Sequence, residues 1–506
     1  MKNQLKIGIV LSYINMALNV IIQLSYTPIM IRLLGQSEYG LYNLVSSVVS
    51  YLSLFSLGFS GAYLRFYNRA KIEGEKKEAQ LNGTFFLSFC VMASMALISG
   101  LILAQFTDVI FGDKLSLDEL GKAKTLMIIL VINLSISLLS SFFDSVISAY
   151  ERFLIQRLLT ILATVFNPII CLPLLLLGYG SVEIVLITTF ITLAKFIADI
   201  IFCFRVLKLK LTLQNFDVNL IKEIMVFSGY IFLNMVIDQI NWNVDKYILG
   251  RTSGTEGVAI YGVGALINSL VMTFSTSISS VFSPRIHSIA NGAKENMSKE
   301  FTDLFVKVGR IQFIVLGLVV SGFFFFGKFF VTDVYAGKEY YDAYYVALLL
   351  IIPAMVPYIQ NLGLEIQRSV NKHQVRSVAY AVMATFNVIL SIPLAKSLGP
   401  IGAAIGTSIS LFFGNIIFMN IYYHKKLEID VIRFWKNIGR ISLGMVPAFL
   451  GGVVYMLLDI PAKLSYFIIC IMIYTLIYCV SIYLIGMNSQ EKELVKDVFK
   501  KLCIIR

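Results

Sequence analysis

Charge is scarce in this sequence. Only 14% of its 506 residues are Asp, Glu, Lys or Arg, against 58% hydrophobic residues and a mean hydropathy of +0.80. A soluble fold would have to hide more apolar surface than that little charge can cover. Histidine is rarer still: His287, His373 and His424 stand far apart with no ligand spacing, so neither a metal site nor a catalytic triad is expected. Six cysteines make no CxxC or Cys/His cluster. Five of them, Cys90, Cys171, Cys203, Cys470 and Cys479, lie inside apolar runs and read as small apolar residues. Long polar stretches are also lacking, which excludes a large soluble catalytic domain. The net charge of +12 would suit nucleic acid if the basic residues shared one solvated face, but they are dealt out loop by loop.

What is present is a succession of fourteen apolar stretches, the first starting near Ile7 and the last near Leu464, each long enough to cross a bilayer. The expected fold is an all-α integral membrane protein of fourteen transmembrane helices. Orientation follows from the positive residues. The amino terminus, every second loop and the carboxyl tail hold 31 Lys plus Arg, and the other loops hold 9. The Lys/Arg-rich set should face the cytosol, with both termini there. Lys2 leads straight into a span without a cleavage site, so no removed signal peptide is expected. The tail places Leu494, Val495, Val498, Phe499 and Leu502 on one helical face and lysines on the rest. That suits a helix on the anionic inner leaflet, or else a frayed basic end.

The chain also repeats itself. An offset of 219 superimposes Asn15 on Asn234, Asn19 on Asp238, Arg32 on Arg251, Gly35 on Gly254 and Tyr42 on Tyr261. An offset of 220 pairs Ser60 with Ser280, Arg65 with Arg285, Asn167 with Asn387 and Pro173 with Pro393. The repeating unit is six spans, an even number, so both copies enter the membrane from the same side. The expected organisation is an N-lobe over 1–205, a cytosolic linker over 206–222 and a C-lobe over 223–423. A loop over 424–436, two additional spans over 437–486 and an amphipathic tail over 487–506 follow. Parallel-repeat transporters carry substrate between their lobes, although channels can be duplicated too.

Polar residues inside spans are costly and concentrate where a protein does its work. Span seven carries Asn234, Asp238, Asn241 and Asp245 at steps of four, three and four, a single helical face, and span one carries Asn15, Asn19 and Gln23 at steps of four. Such stripes line a central cavity or glue helices together. Lys246, next to Asp245, points elsewhere and is a candidate substrate contact. Near the expected cytosolic ends lie Arg65 and Arg285, with Asp144 and Glu365 in nearly the same repeat relation. They read either as an anion-accepting gate whose carboxylates hold the arginines when substrate is absent, or as arginines snorkelling to the interface. Lys195 and Asp199, four residues apart, should neutralise each other.

Two patterns mislead. Gly322 through Lys328 mimics a phosphate-binding loop, but Phe329 stands where Ser or Thr must hold magnesium, and the run is the interior of span nine. The glycosylation triplets at Asn82 and Asn296 fall on the expected cytosolic side.

The stretch Leu34-Gly35-Gln36-Ser37-Glu38-Tyr39-Gly40-Leu41-Tyr42 resembles a signature of bacterial oligosaccharide flippases. Asp245 to Gly250, Asn361 to Arg376 and Leu398 to Thr407 agree with it. Over nearly its whole length the chain resembles the Wzx-type polysaccharide-transporter branch of the multidrug/oligosaccharidyl-lipid/polysaccharide exporters. The resemblance implies two six-helix lobes plus two helices, and transport of an undecaprenyl-diphosphate-linked glycan across the bacterial inner membrane by alternating access. It further implies a cationic inter-lobe cavity, a groove for the lipid tail near spans thirteen and fourteen, and polysaccharide polymerase or export proteins as partners. Relatives commonly carry an acidic residue before Leu57-Gly58, where this chain has Ser56. A lipid II flippase and a cation-coupled multidrug antiporter are the competing functions. No catalytic residue and no cofactor is expected beyond a coupling proton or sodium ion, with Asp238 the first candidate to bind it.

Overall fold

The computed structural model describes residues 2–212, 218–292, 296–370, 372, 374–458 and 463–504. Every secondary-structure element among them is helical. The chain runs through α1 (Lys2–Tyr51), α2 (Phe59–Glu73), α3 (Glu75–Leu103), α4 (Thr107–Phe111), α5 (Leu117–Ala149), α6 (Phe153–Leu176) and α7 (Ser181–Ile201). It continues through α8 (Val218–Val281), α9 (Ser283–Ala290), α10 (Met297–Phe329), α11 (Tyr341–Ile359), α12 (Leu362–Ser369) and α13 (Gln374–Leu411). Last come α14 (Met419–Lys426), α15 (Val431–Leu457), α16 (Leu464–Ser481) and α17 (Ser489–Ile504).

Among the described residues, eleven helical runs are long and apolar enough to cross a membrane. Three of them, Val10–Glu73, Ile231–Val281 and Gln374–Lys426, span 64, 51 and 53 residues. At 1.5 Å per residue each exceeds twice the roughly 30 Å of a hydrocarbon core. Each is also broken at a glycine, at Gly35 (φ 76°, ψ 170°), Gly254 (φ 70°, ψ −166°) and Gly399 (φ 59°, ψ −138°). Divided there, the eleven runs accommodate the fourteen crossings expected from hydropathy. Side-chain hydroxyls within the spans are satisfied locally: Ser135, Ser137, Ser141, Thr160 and Thr164 each donate to the carbonyl four residues back.

By packing, the described chain forms two compact units, Met1–Gly262 with Ser391–Ala403, and Val263–Leu390 with Ala404–Arg506. The first boundary falls inside α8 and not at the 206–222 linker, of which residues 213–217 lie outside the described residues. The reason is close contact between the first part of α8 and α1. A Cβ on Gly40 would collide with the Thr255 carbonyl, and one on Gly250 with Leu44. Small residues at these points let the two backbones approach as helices in lipid require. The six-plus-six repeat describes the order of the chain, whereas the units describe its packing.

The first unit has an aromatic core in which Phe59, Tyr63, Phe85, Phe89, Phe142 and Phe143 are buried. Tyr63 meets Phe85 edge-on at 5.1 Å and donates its hydroxyl to Asn82 Oδ1 at 2.7 Å. In the second unit the phenylalanine run that mimics a phosphate loop is packing material. Phe325 lies 4.9 Å from Phe449 and Phe326 lies 4.5 Å from Tyr455, both on α15. The tail forms α17, and the side chains of Leu494, Val498, Phe499 and Leu502 lie outside the described residues, as does His373.

Candidate functional site

The first part of α8 carries the polar stripe of span seven, and its members separate by depth. Asp245 is 1% exposed, and its Oδ2 accepts a hydrogen bond from the Tyr261 hydroxyl at 2.6 Å. Asp238 is exposed, while Asn234 and Asn241 are half-buried. Asp238 and Asp245 share a helical face but stand two turns, about 10 Å, apart along the axis. The turns near Asp245 lie where α8 is pressed against α1. Lys246 turns away and donates to Asn43 Oδ1 at 3.5 Å, a long contact. In span one, Asn15, Asn19 and Gln23 are half-buried, and Asn19 donates to the Asn15 carbonyl at 2.9 Å.

Sequence reasoning missed part of this wall. Gln239 Nε2 reaches Ser53 Oγ at 3.1 Å, and Asn243 Nδ2 donates to Gln239 Oε1 at 2.7 Å. Gln239 and Asn243 are four residues apart, the same spacing used to find the first stripe, but on a second face of the helix. With Asn43 and Lys246 they form a ladder of amides, hydroxyl and ammonium inside the first unit. Such a ladder offers donors and acceptors that suit sugar hydroxyls.

The gate carboxylates have other partners than expected. Asp144 on α5 accepts from Lys195 at 2.8 Å, and Lys195 also holds Asp199 at 2.9 Å. Ser140 Oγ adds a bond of 3.1 Å to Asp199, which is 0% exposed. The Lys195–Asp199 pair therefore stands as expected, enlarged by Asp144. Glu365 pairs with Arg368 one turn away at 2.8 Å, and Arg285 with Glu300 at 3.5 Å. The expected pairing of the gate carboxylates with Arg65 and Arg285 is thus corrected for Asp144, Glu365 and Arg285. Near neighbours in sequence or packing reach these charges without ordering further chain. Arg65 is exposed on α2, and Arg285 is exposed on α9.

The signature between spans one and two closes the end of the first unit that carries the Lys/Arg-poor loops. Glu38 accepts from the Ser181 amide at 2.6 Å and hydroxyl at 2.9 Å, so a carboxylate sits at the N-terminus of α7. Lys122 binds the same carboxylate at 3.3 Å. Glu119 completes the capping box of α5 with Ser116 and also accepts from Ser37 at 2.7 Å and Thr255 at 2.8 Å. The same Glu119 carboxylate thus starts α5 and ties it to Ser37 and Thr255, a link that the sequence reading missed. Among the described residues no group of three or more His, Cys, Asp or Glu is placed to hold a metal ion.

A family model described as "Polysaccharide biosynthesis protein" matches residues 5–290, more than half of the chain. The chain belongs to this family. It is 22% identical over 417 residues to the "Putative O-antigen transporter" of Shigella flexneri, covering 77% of this chain and 91% of that one. Its fold is similar to that of the lipid II flippase MurJ in an inward closed conformation. That match has a TM-score of 0.74 at 17% identity and covers 94% of this chain and 97% of that one. The MATE multidrug transporter DinF-BH is similar with a TM-score of 0.59 at 15% identity, covering 83% and 96% of the two chains. The all-α membrane fold read from the residues is the fold found. These relatives and neighbours are described as transporters or flippases, none of them as an enzyme.

Proposed function

We propose that the protein moves an undecaprenyl-diphosphate-linked oligosaccharide from the cytosolic to the outer leaflet of the bacterial inner membrane by alternating access, for surface polysaccharide export. The observation that carries this reading is the relation to the O-antigen transporter across most of both chains. The chemistry supports it. A diphosphate and a string of sugars cannot cross hydrocarbon unaided. The amide and hydroxyl ladder of Asn43, Ser53, Gln239 and Asn243 can replace water around sugar hydroxyls, with Lys246, Arg65 and Arg285 as cations for the phosphates. The Lys/Arg-poor end of the first unit is latched through Glu38 and Glu119. In this reading that end faces outward, both termini are cytosolic, and the six-helix lobes rock to open one side at a time. The stripe of half-buried Asn15, Asn19, Gln23, Asn234 and Asn241 and exposed Asp238 borders the path, and Asp238 is the first candidate for a coupling proton or sodium ion. A polymerase or export protein receives the product.

Reconstitution into liposomes with a fluorescent undecaprenyl-diphosphate oligosaccharide tests the proposal, scored by access of an external glycosidase. Wild-type protein should expose the glycan, and the Arg65→Gln/Arg285→Gln double variant should slow exposure at least tenfold. Absence of flipping with several glycans, together with ion-driven efflux of a cationic dye, would replace the proposal by an antiporter. Turnover of lipid II alone would restrict it to the cell-wall precursor.

A further inference from the structure

One charge cluster of the first unit does not balance by its own members. Lys195 on α7 donates to Asp144 of α5 at 2.8 Å, to Asp199 at 2.9 Å and to Ser140 Oγ at 3.4 Å. An ammonium has three hydrogens, so this one has no more to give. Ser140 in turn donates to Asp199 Oδ2 at 3.1 Å. The other two carboxylate oxygens, Asp144 Oδ1 and Asp199 Oδ1, are buried and accept no hydrogen bond among the described residues. Two carboxylates against one ammonium leave one negative charge, and Asp199 is fully buried. Inside a membrane span such a charge is costly until a positive partner joins it.

The second unit makes the corresponding contact without charge. The repeat carries Ser140 to Gln360 and Lys195 to Asn415 at an offset of 220, and Asp199 to Asn420 one position further on. Gln360 Nε2 donates to Asn420 Oδ1 at 2.8 Å, the counterpart of the bond from Ser140 to Asp199. Glu365, the counterpart of Asp144, is turned to Arg368. Amides therefore hold these helices together in one unit where the other keeps an ammonium and carboxylates. Packing alone does not call for the charged set, which costs more to bury than the neutral one.

The elements around the cluster are mostly uncharged at this height. In α1 no charged residue lies between Lys6 and Arg32, and in α3 none follows Glu78, which accepts from the Tyr150 hydroxyl. On α2, Tyr63 faces Phe142 of α5 and donates to Asn82, while Arg65 is exposed. On α6, Gln156 donates to the Asp144 carbonyl at 3.2 Å and Arg157 beside it is half-buried. In the turn after α7, the Cys203 thiol lies 4.0 Å from the Phe143 carbonyl.

We infer that Asp144, Lys195 and Asp199 form a proton-binding site within the first unit, at which one proton added to a carboxylate oxygen cancels the unpaired charge. The step forms one O–H bond; the proton comes from water and returns to it, and it belongs to the pair of carboxylates rather than to either one. Asp144, at 30% exposure, is the member that water reaches. The site is separate from Asp238, which is exposed on α8. Its use in coupling, by taking a proton on one side of the membrane and releasing it on the other, rests on the flippase reading; the site itself does not.

Infrared difference spectroscopy of the full chain in maltoside micelles, between mildly alkaline and mildly acidic buffer, tests the inference through the carbonyl stretch of a protonated carboxyl group. Wild type should gain such a band. Asp144→Asn and Asp199→Asn should each lose most of it, because the neutral pair of one lysine and one aspartate left behind needs no proton. Lys195→Met should keep it, because two carboxylates without a cation still need one. Asp303→Asn, which removes an exposed carboxylate of the second unit, should match wild type. Should Asp199→Asn elute as aggregate, Asp144→Asn decides, since it leaves Asp199 its ammonium. In liposomes, an imposed proton gradient should change the flipping rate of wild type severalfold and leave that of both Asn variants unchanged. No band in wild type, or a band unchanged in both Asn variants, overturns the site. A band lost in those variants alongside a wild type that flips no glycan overturns the flippase reading and leaves the site. Flipping by wild type with a band indifferent to both variants does the reverse.

Discussion

The repeat-related helices α1 and α8 break in the same way and carry different side chains. Gly35 (φ 76°, ψ 170°) and Gly254 (φ 70°, ψ −166°) occupy a backbone region that is essentially restricted to glycine. Along the helix that precedes the first break stand Asn15, Asn19 and Gln23, neutral and half-buried; along the helix that precedes the second stand Asp238, Asp245 and Lys246. Duplication has kept the backbone requirement, which no other residue meets cheaply, and released the side chains to diverge. Buried charge differs in the same manner between the units. In the first, Lys195 serves two carboxylates, one of them 30% exposed. In the second, Arg310 grips Glu491 with two bonds of 2.6 and 2.7 Å, and both side chains are under a tenth exposed. Arg310 also donates to the Gly486 carbonyl at 3.1 Å, fastening the start of α17 to α10 and the end of the last span.

The largest effect should come from breaking the second-unit pair. Glu491→Ala strands a buried guanidinium and should destabilise the protein by about 3–5 kcal/mol in reversible unfolding in mixed micelles. The Arg310→Met/Glu491→Leu double variant should recover most of that loss, because no unpaired charge remains. Lys195→Met should cost less, about 2–3 kcal/mol, since the stranded Asp199 keeps its bond from Ser140 and Asp144 is only partly buried. Equal losses for Lys195→Met and Glu491→Ala would erase the contrast between the units. Next in size, Gly35→Ala and Gly254→Ala should each cost about 1–3 kcal/mol from backbone strain. The two losses should match, because a Cβ meets nothing within 4 Å at Gly35 and only the Lys114 carbonyl at 3.5 Å at Gly254. A loss at one glycine alone would end the claim that the breaks are equivalent. The smallest change belongs to Asp144→Asn, below about 1 kcal/mol, because Lys195 keeps Asp199 and sheds one of two like charges beside it.

Much of the fold was legible in the residues. The apolar stretches, the offset of 219 that pairs Gly35 with Gly254, and the Lys195–Asp199 step of four are local or periodic features, and each reappears in the structure. The site was legible only in part. Periodicity found the stripe from Asn234 to Asp245 but not the second face with Gln239 and Asn243, because a helix with polar residues on two faces has no single direction to read. Asp144 was matched with Arg65 and Arg285 by symmetry, and packing gave it to Lys195, 51 residues along the chain. Arg310, counted with a cytosolic loop by charge, is buried against a residue 181 positions away.

By itself the sequence determined that this chain is a membrane-embedded helical protein with an internal repeat, and that particular glycines recur in it at the repeat spacing. Hydrophobic length and backbone permissiveness act within a few turns of helix, so they are written along the chain. Tertiary structure alone decided which charges are paired and which polar side chains are buried, as with Asp144 on Lys195 and Arg310 on Glu491. These depend on which helix faces meet at which height, and a pair of charges separated by many residues lowers the free energy only once packing has brought its members within a few ångströms.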